Sequence, residues 1–391
     1  MSPELAGALG PVSELLQAAD ALAADIGYPE PELRAAYHRQ VLLLVAQAHA
    51  QLFATHVESP DWVPHTGPLF PWGAPNHDTV YRFAPIDARG SYRICGTRGN
   101  ETVASIMFRK GGANTGEIHG ATLGEIDVLA LPESGDGRFS VLLSAERRAG
   151  ESGLWFALPP QTTGIITRHV TETPEQREGI WSLERLDRGP RTQPLGAEET
   201  AQRIAHLTSF VRRLNEFLLR LVKRLRDGGY TNTLLAERFQ GNGGIADQMY
   251  FQGLFELGAD EALILESELP ASVRYWSVQL WDPFYSAIDF IFHSAAFNGR
   301  QAHVSADGKV RFVLAPSDPG VPNWLDPAGW RRGGMLWRWH SASPVAVPEI
   351  RRVPLGEVRR QLPPATPAID AASRATERAA RIRHYQGRRR W

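Results

Sequence analysis

The chain has 391 residues, a formal net charge of −1, 43% hydrophobic residues and 22% charged residues, which is an ordinary composition for a folded globular protein. This charge balance does not favour nucleic acid or a membrane surface as a partner, and no apolar run reaches the roughly 18 residues that predict a transmembrane helix. The single cysteine, Cys95, excludes an intramolecular disulfide and a cysteine-rich metal site. The N-terminal residues include acids where a secretion signal needs basic residues, so we expect a cytoplasmic protein.

The spacing of apolar residues divides the chain into helical and β-rich segments. Residues 31–56 have helical spacing, whereas the stretches that follow are short β-type runs separated by Gly, Pro and Asp. The sequence then returns to helical spacing, and later to β-rich runs that precede a helix from Pro363. We therefore expect an N-terminal helical region (1–60), a first β segment (61–190), a helical middle (191–261) and a second β segment with a C-terminal helix (262–391).

Antiparallel strands are predicted to dominate residues 78–187 and 262–354, because closely spaced strands without helices between them favour antiparallel pairing. Between these two ranges, apolar residues recur every three or four positions over 197–227, and Gly228 and Gly229 end the pattern, which predicts one long helix. The expected fold class is mainly β with α additions: antiparallel β-sandwich-like segments, an N-terminal helical region and a long central helix.

The common sequence signatures of cofactor sites are missing from this chain. It contains no P-loop, no nucleophile elbow and no H-E-x-x-H motif. Residues 241–247, GNGGIAD, fit a dinucleotide-binding fingerprint, but the preceding LLAERFQ is typical of a helix end where such a site needs a strand, so we expect a loop. The twelve histidines show neither H-x-H nor H-x-x-x-H spacing. We expect no bound metal and no cofactor.

The first candidate site is the stretch NHDTVYR, in which prolines precede a turn and a strand begins at Thr79. Asn76, His77, Asp78 and Arg82 place an amide, an imidazole, a carboxylate and a guanidinium within seven residues. These groups can supply an acid, a base and an anion clamp. The alternative is structural, because Asn and Asp often cap turns with their own side chains.

The second candidate site is the loop within SDPGVPNWLDPAGWRRGGMLWRWH. Asn323, Trp324 and Asp326 lie on it, and a turn alone does not require the flat apolar wall that a tryptophan offers. Arg338 lies between two tryptophans in the following strand, so its side chain is predicted to face away from both. An arginine buried in this way needs a carboxylate or a ligand.

Several stretches resemble one bacterial family. They are NHDTVYRFAPIDARGSYRICGTRGN, YWSVQL, HVSADGKVRFVLAPSDPGVPNWLDPAGWRRGGMLWRW and the final LP…TP…R pattern. Together they resemble the domain-of-unknown-function family 1214, in order and spacing, over residues 70–385. The resemblance implies a mostly β architecture with sandwich-like domains and helical additions, and it implies no particular reaction. Relatives usually have proline where this chain has His77.

Two hypotheses fit these candidates. In the first, the protein is an enzyme that acts on a small, largely apolar, oxygenated molecule by cofactor-independent lyase, isomerase or hydrolase chemistry. In the second, the pocket only binds a small molecule, and the acids and arginines form a structural ion-pair network. The candidate catalytic residues are Asp78, Asp326 and His77, and the candidate binding residues are Asn76, Arg82, Asn323, Trp324 and Arg338.

The simplest arrangement brings residues 76–82 and 323–326 together at one end of the β structure. Each stretch combines a proline-fixed loop, an amide, a carboxylate and a following strand that carries an arginine. Groups that act on one small molecule must lie within about 10 Å of each other. We therefore expect one shared pocket with Trp324 as its wall, a small molecule as partner, and neither nucleic acid nor a membrane.

Overall fold

The computed structural model describes residues 30–388 apart from 133–134, 148–149, 151, 240–243 and 245–246, together with residues 10–11 and 14–15. The helices are α1 (Pro31–Phe53), α2 (Ala197–Asp227), α3 (Val358–Gln361) and α4 (Ala371–Gln386), and short 3-10 helices lie at Ala113–Thr115, Val128–Ala130 and Leu355–Glu357. The strands are β1 (Val63–Pro64), β2 (Thr79–Pro85), β3 (Tyr92–Thr97), β4 (Val103–Arg109), β5 (Thr122–Asp127), β6 (Arg138–Ser144), β7 (Leu154–Ala157), β8 (Gly164–Val170), β9 (Ile180–Arg185), β10 (Leu235–Glu237), β11 (Gln248–Glu256), β12 (Glu261–Glu268), β13 (Tyr275–Trp281), β14 (Ala296–Asn298), β15 (Lys309–Leu314), β16 (Trp324–Leu325), β17 (Arg332–His340) and β18 (Glu349–Pro354).

The first β segment folds as a sandwich of two sheets. A five-stranded sheet has the order β1-β2-β8-β4-β5, and a four-stranded sheet has the order β7-β6-β3-β9. Apolar side chains such as Ile94, Ile106 and Val141 fill the space between the sheets. All pairs in these two sheets are antiparallel except β6 with β7.

The second β segment repeats this arrangement. Its five-stranded sheet has the order β10-β11-β17-β13-β14, and its four-stranded sheet has the order β16-β15-β12-β18. The core between them is rich in aromatic rings, with Trp276, Phe312, Trp337 and Trp339 in one cluster. The predicted fold class, mainly β with an N-terminal helix and a long central helix, is confirmed.

The central helix α2 forms because its sequence is amphipathic. Leu207, Val211, Leu214 and Leu218 are three or four residues apart and are buried together with α1 and with residues of the second sandwich. Acidic residues in the first turn and arginines in the last turn complement the helix dipole. The two long helices therefore cover one side of the β structure.

Two strands fall within the segment that the sequence predicts to be helical. β11 is the second strand of its sheet, and β10 pairs with it at the sheet edge. Because β10 includes Leu235, the residues before the glycine-rich stretch are a strand and not the expected helix end. Most of residues 241–247 lie outside the described residues. The local pattern failed here because β10 has only three residues and depends on its partner strand.

Candidate ligand-binding site

A cavity of about 180 Å³ lies between the two five-stranded sheets, with α2 along one side. Each of these sheets buries one face in its own sandwich and turns the other face toward the cavity. Side chains on alternate positions of a strand point to opposite faces, which is how one strand serves both purposes. The lining comprises His65, Thr66, Trp72, Gly73, Ala74, Pro75, Asn76, Thr79, Tyr81, Val103, Arg109, Ile118, His119, Ile166, Arg168, Val170, Leu214, Phe217, Leu218, Leu221, Phe239, Gly244, Gln248, Tyr250, Tyr275, Tyr285, Leu336, Arg338 and His340.

Strand β17 shows this alternation clearly. Trp337 and Trp339 are in the core of the second sandwich, whereas Arg338 and His340 line the cavity. The prediction that Arg338 faces away from both tryptophans is confirmed. The Arg338 side chain donates to Gln279 Oε1 at 3.3 Å and to the carbonyl oxygen of Ala74, although the residue is only 5% exposed.

The first sandwich contributes two more arginines to the cavity. Arg109 ends β4, is 2% exposed, and donates to Thr122 Oγ1 at 2.7 Å and to the carbonyl oxygen of Gly120. Burial, together with the charge of Arg168, lowers the pKa of Arg109 to about 10. Arg168 lies on β8 with its guanidinium 5.3 Å from the centre of the Tyr81 ring. All three arginines stay protonated at neutral pH.

The three histidines of the lining are neutral at pH 7. Burial and two nearby arginines lower the pKa of His65 to about 3, and burial lowers the pKa of His340 to about 4. Burial also lowers the pKa of His119 well below its ordinary value. The rings of His65 and His119 meet edge to face at 4.7 Å. These residues therefore add aromatic surface and neutral hydrogen-bonding groups, and they add no charge.

Of the residues predicted in the first candidate site, Asn76 alone lines the cavity. Its side-chain oxygen accepts hydrogen bonds from Tyr275 Oη at 2.8 Å and from the amide of Asp78 at 3.1 Å. His77 lies behind it, against the rings of Phe290 and Tyr385. Burial lowers the pKa of His77 to about 4.

Asp78 is fully buried at the junction between the two sandwiches. Its carboxylate accepts hydrogen bonds from Tyr275 Oη at 2.9 Å and Asn298 Nδ2 at 2.8 Å, and it forms an ion pair with Arg388 at 3.2 Å. Burial opposes ionisation, yet His77, Arg388 and these two hydrogen bonds hold the pKa of Asp78 below its ordinary value. The turn therefore joins the two sandwiches and the C-terminal residues through one polar network.

Arg82 is directed away from the cavity. It forms an ion pair with Glu178 at 2.9 Å beside a separate pocket of about 310 Å³ that is lined by Trp62, His169 and Trp181 among others. Its position in β2 places Arg82 on the opposite face from Tyr81. Arg82 therefore does not line the cavity with Asn76 and Arg338.

The loop of the second candidate site is anchored to its own sandwich. Asn323 bonds the backbone of His303 through both side-chain atoms, at 2.8 and 2.7 Å. Trp324 Nε1 donates to the carbonyl oxygen of Ala315 at 2.9 Å. Asp326 lies 2.8 Å from His293 Nδ1 and accepts from the amide of Ala328.

The structure does not bring the two predicted loops to one pocket. Asn323, Trp324 and Asp326 are absent from the described lining of the cavity, which instead joins Asn76 to Arg338. The expected pocket with Trp324 as its wall is therefore wrong in its geometry. The Asn323 amide, the Trp324 indole and the Asp326 carboxylate form hydrogen bonds within their own sandwich. Sequence spacing does not reveal these bonds. The catalytic and binding roles assigned to these residues stay predictions.

Sequence reasoning missed most of the lining, and Arg109 and Arg168 above all. Both lie in runs that are otherwise apolar or β-branched, TVASIMFR and GIITRHV. The same signal pointed to Arg338, namely a charged residue within a strand buried on both faces. Applied to every strand, that criterion would have selected all three arginines.

The fold and the cavity define a class of protein: two β-sandwiches that enclose a small, arginine-bearing cavity between their larger sheets. No protein-family model matches the chain, and a comparison with curated proteins found no match. A crystal structure of an uncharacterised protein from Burkholderia cenocepacia is similar to it, with 26% identity, a TM-score of 0.84, and coverage of 91% of this chain and 99% of that one. A Vibrio parahaemolyticus protein of 12% identity reaches a TM-score of 0.47 over 80% of this chain and 98% of its own.

The first of these similarities supports the two-sandwich fold and carries no activity with it. Among the described residues, no helix has both the length and the apolar character needed to cross a membrane. In the same part of the chain, no group of three or more His, Cys, Asp or Glu side chains is placed to hold a metal ion. The resemblance to the domain-of-unknown-function family 1214 stays a prediction.

Proposed function

We propose that this protein binds a small, largely apolar, oxygenated molecule in the cavity between its sandwiches and that it acts as a binding protein. The observation that carries the proposal is the lining itself. Aromatic and aliphatic side chains from both sandwiches and from α2 surround a limited set of polar groups, which is the usual composition of a small-molecule site.

The enzyme hypothesis has less support than the binding hypothesis. A general acid or base must reach the substrate directly or through one water. Asp78 is held behind Asn76 and Tyr275 by an ion pair and two hydrogen bonds. Asp326 pairs with His293 outside the described lining. Burial raises the pKa of Tyr275 well above its ordinary value, so this hydroxyl is also a poor acid at neutral pH.

The proposal includes a cytoplasmic location and a small molecule as the only partner. The balanced net charge of −1 supports the second point, since neither a polyanionic partner nor an anionic membrane surface is favoured. Membership of the domain-of-unknown-function family 1214 is proposed on the sequence motifs alone.

Isothermal titration calorimetry with benzoate, benzamide, hexanoate and hexanamide tests whether the cavity binds small molecules. At least one compound is expected to bind the native protein. Leu221→Trp, which inserts an indole into the cavity lining from α2, is expected to abolish that binding. Leu42→Trp, at a position that is 54% exposed on α1, serves as the matched control and is expected to bind normally. Absence of binding by all four compounds, or unchanged binding by Leu221→Trp, would overturn the proposal.

A further inference from the structure

We propose that the ligand of the cavity is a monocarboxylate, with its carboxylate group held by Arg338 and Arg168 and its apolar body against the aromatic walls. This inference rests on the proposed function and specifies the chemical class of the ligand. Three features support it: the uncompensated charges of Arg338 and Arg109, the position in which hydrogen bonds hold Arg338, and the apolar character of the remaining lining.

The first feature is charge without a counter-ion. Arg338 and Arg109 are almost fully buried, and their hydrogen-bond acceptors are neutral oxygens of amide, hydroxyl and carbonyl groups. Among the described residues, neither of them forms an ion pair with Asp or Glu. A buried cation that lacks a counter-charge costs several kcal/mol, and a bound anion would recover much of this.

Two acidic side chains close to lining residues are engaged elsewhere. Asp78 is paired with Arg388 at 3.2 Å and is separated from the cavity by Asn76 and Tyr275. Glu237 accepts hydrogen bonds from the side chains of Arg224 and Gln252. Within the part of the chain that the structure describes, no Asp or Glu lines the cavity. The positive potential of the cavity is therefore available to a ligand.

The second feature is the backbone that holds Arg338. Its guanidinium donates to the carbonyl of Ala74, a residue with the left-handed φ of 45°. The amide of Ala74 donates to the carbonyl of Tyr285 at 3.0 Å, and Tyr285 has a φ of 67°. Two adjoining non-glycine residues in this region are uncommon, and such strain concentrates at functional sites. The hydrogen bonds to Ala74 and Gln279 hold the Arg338 guanidinium in place at the cavity.

Arg168 approaches the same region from the other sandwich. Arg338 lies directly opposite Tyr250 in the pairing of β17 with β11, and Arg168 lines the same cavity from β8, over the Tyr81 ring. Burial raises the pKa of Tyr250, and the positive charges of Arg168 and Arg338 both oppose that rise. A carboxylate between them can accept charge-assisted hydrogen bonds from each sheet. Arg109 adds positive potential on the side of the first sandwich.

The third feature limits the ligand to one charged group. The histidines of the lining are neutral at pH 7, so they do not favour a second anion. The walls beyond the arginines are formed by rings such as those of Trp72, Phe217 and Phe239. The cavity volume of about 180 Å³ suits a compact body such as a benzene ring or a short alkyl chain. A polyanionic molecule would have to place further charge against these apolar walls, so we expect one carboxylate beside the arginines and an apolar body beyond it.

Matched compounds that differ only in charge test the inference. By titration calorimetry, benzoate is expected to bind at least about tenfold more tightly than benzamide, since hydrogen bonds to a charged group are stronger than those to a neutral one. Arg338→Gln is expected to reduce benzoate affinity about tenfold or more on the same basis while it leaves benzamide affinity within about threefold. Arg338→Lys, which keeps the charge, is expected to retain part of the benzoate affinity, and the exposed Arg93→Gln is the control.

The outcomes separate this inference from the proposed function. Binding of benzamide with affinity equal to that of benzoate would overturn the monocarboxylate assignment and leave the binding function intact. Loss of binding by every compound would overturn both. If Arg338→Gln does not fold, as judged by circular dichroism, Arg168→Gln is measured instead, and unchanged benzoate affinity in that folded variant counts against the assignment. Displacement of benzoate by inorganic phosphate at equal concentration would also contradict it.

Discussion

Three buried or half-buried arginines in this protein have three different roles, and their partners distinguish them. Arg82 has its own carboxylate partner, Glu178, on the face that points away from the cavity. Arg388 compensates the buried charge of Asp78. Among the described residues, the acceptors of Arg338 are neutral, and Arg338 lines the cavity. At the scale of the residue, the counter-charge therefore separates a structural arginine from one that is placed for a ligand.

A comparison of two substitutions tests this distinction. Asp326→Asn is expected to leave benzoate affinity unchanged within about twofold, because the Asp326 carboxylate bonds His293 and the amide of Ala328 outside the described lining. Arg338→Gln is the positive comparison. The measurement is calorimetry on a variant with native circular dichroism. A fall of tenfold or more in the benzoate affinity of Asp326→Asn would show that Asp326 takes part in ligand binding.

At the scale of the element, α4 packs on the second sandwich and positions the C-terminal residues at the junction between the sandwiches. Its side chains contact the second sandwich at a few points, and Arg374 is bonded to Asp318 at 2.8 Å and lies over the Trp324 ring. Beyond its last turn, Arg388 donates to the carbonyl of His77 at 2.9 Å and to the carboxylate of Asp78. The helix is mostly exposed and polar, so these few contacts fix its position.

Removal of the Arg388 charge is expected to destabilise the protein. Arg388→Gln leaves Asp78 as a buried carboxylate without its ion pair, which costs about 3–5 kcal/mol of the free energy of unfolding. The double variant with Asp78→Asn is expected to lose less than the sum of the two single variants, because the two residues interact directly. Urea denaturation measures these values, with the exposed Arg378→Gln on the same helix as control. Additive losses would show that the ion pair is not coupled.

The elements also show which parts of the structure local sequence patterns can predict. Helix α2 depends on neighbouring residues, and it forms as predicted. The turn at Asp307-Gly308, where Gly308 has a φ of 80°, is of the same local kind. β10 and the cavity depend on pairings between distant segments. Arg109 and Arg338 are 229 positions apart in the numbering, so only the fold brings them to one cavity. The predicted pocket with Trp324 as its wall was wrong for the same reason.

At the scale of the whole molecule, buried neutral histidines make stability depend on pH. Burial lowers the pKa of His65 to about 3, and of His77, His340 and His384 to about 4. In the unfolded chain each titrates near its ordinary value of about 6.5. The unfolded state therefore binds more protons between these values, and the contribution of each histidine to stability is complete above pH 6.5 and declines as pH falls toward 4. Asp282, whose pKa burial raises to about 7, acts in the opposite direction.

Because burial lowers the pKa values of these histidines, we expect the free energy of unfolding to be lower at pH 4.5 than at pH 7. His384→Gln is expected to reduce that difference, by about 1.4 kcal/mol for each pKa unit of the folded-state shift that lies within the range. His49→Gln, at an exposed position on α1, is the control and is expected to keep the native pH dependence. Chemical denaturation at a series of pH values measures both variants. Equal pH dependence in the native protein and in His384→Gln would contradict the assignment.

The most direct measurement of the central claim is a crystal structure of the protein with a bromine-substituted benzoate. We expect one anomalous bromine peak inside the cavity between the five-stranded sheets, with the carboxylate within hydrogen-bonding distance of Arg338 and Arg168 and the ring against the aromatic walls. An empty cavity at saturating ligand, or a carboxylate directed away from both arginines, would contradict the monocarboxylate assignment.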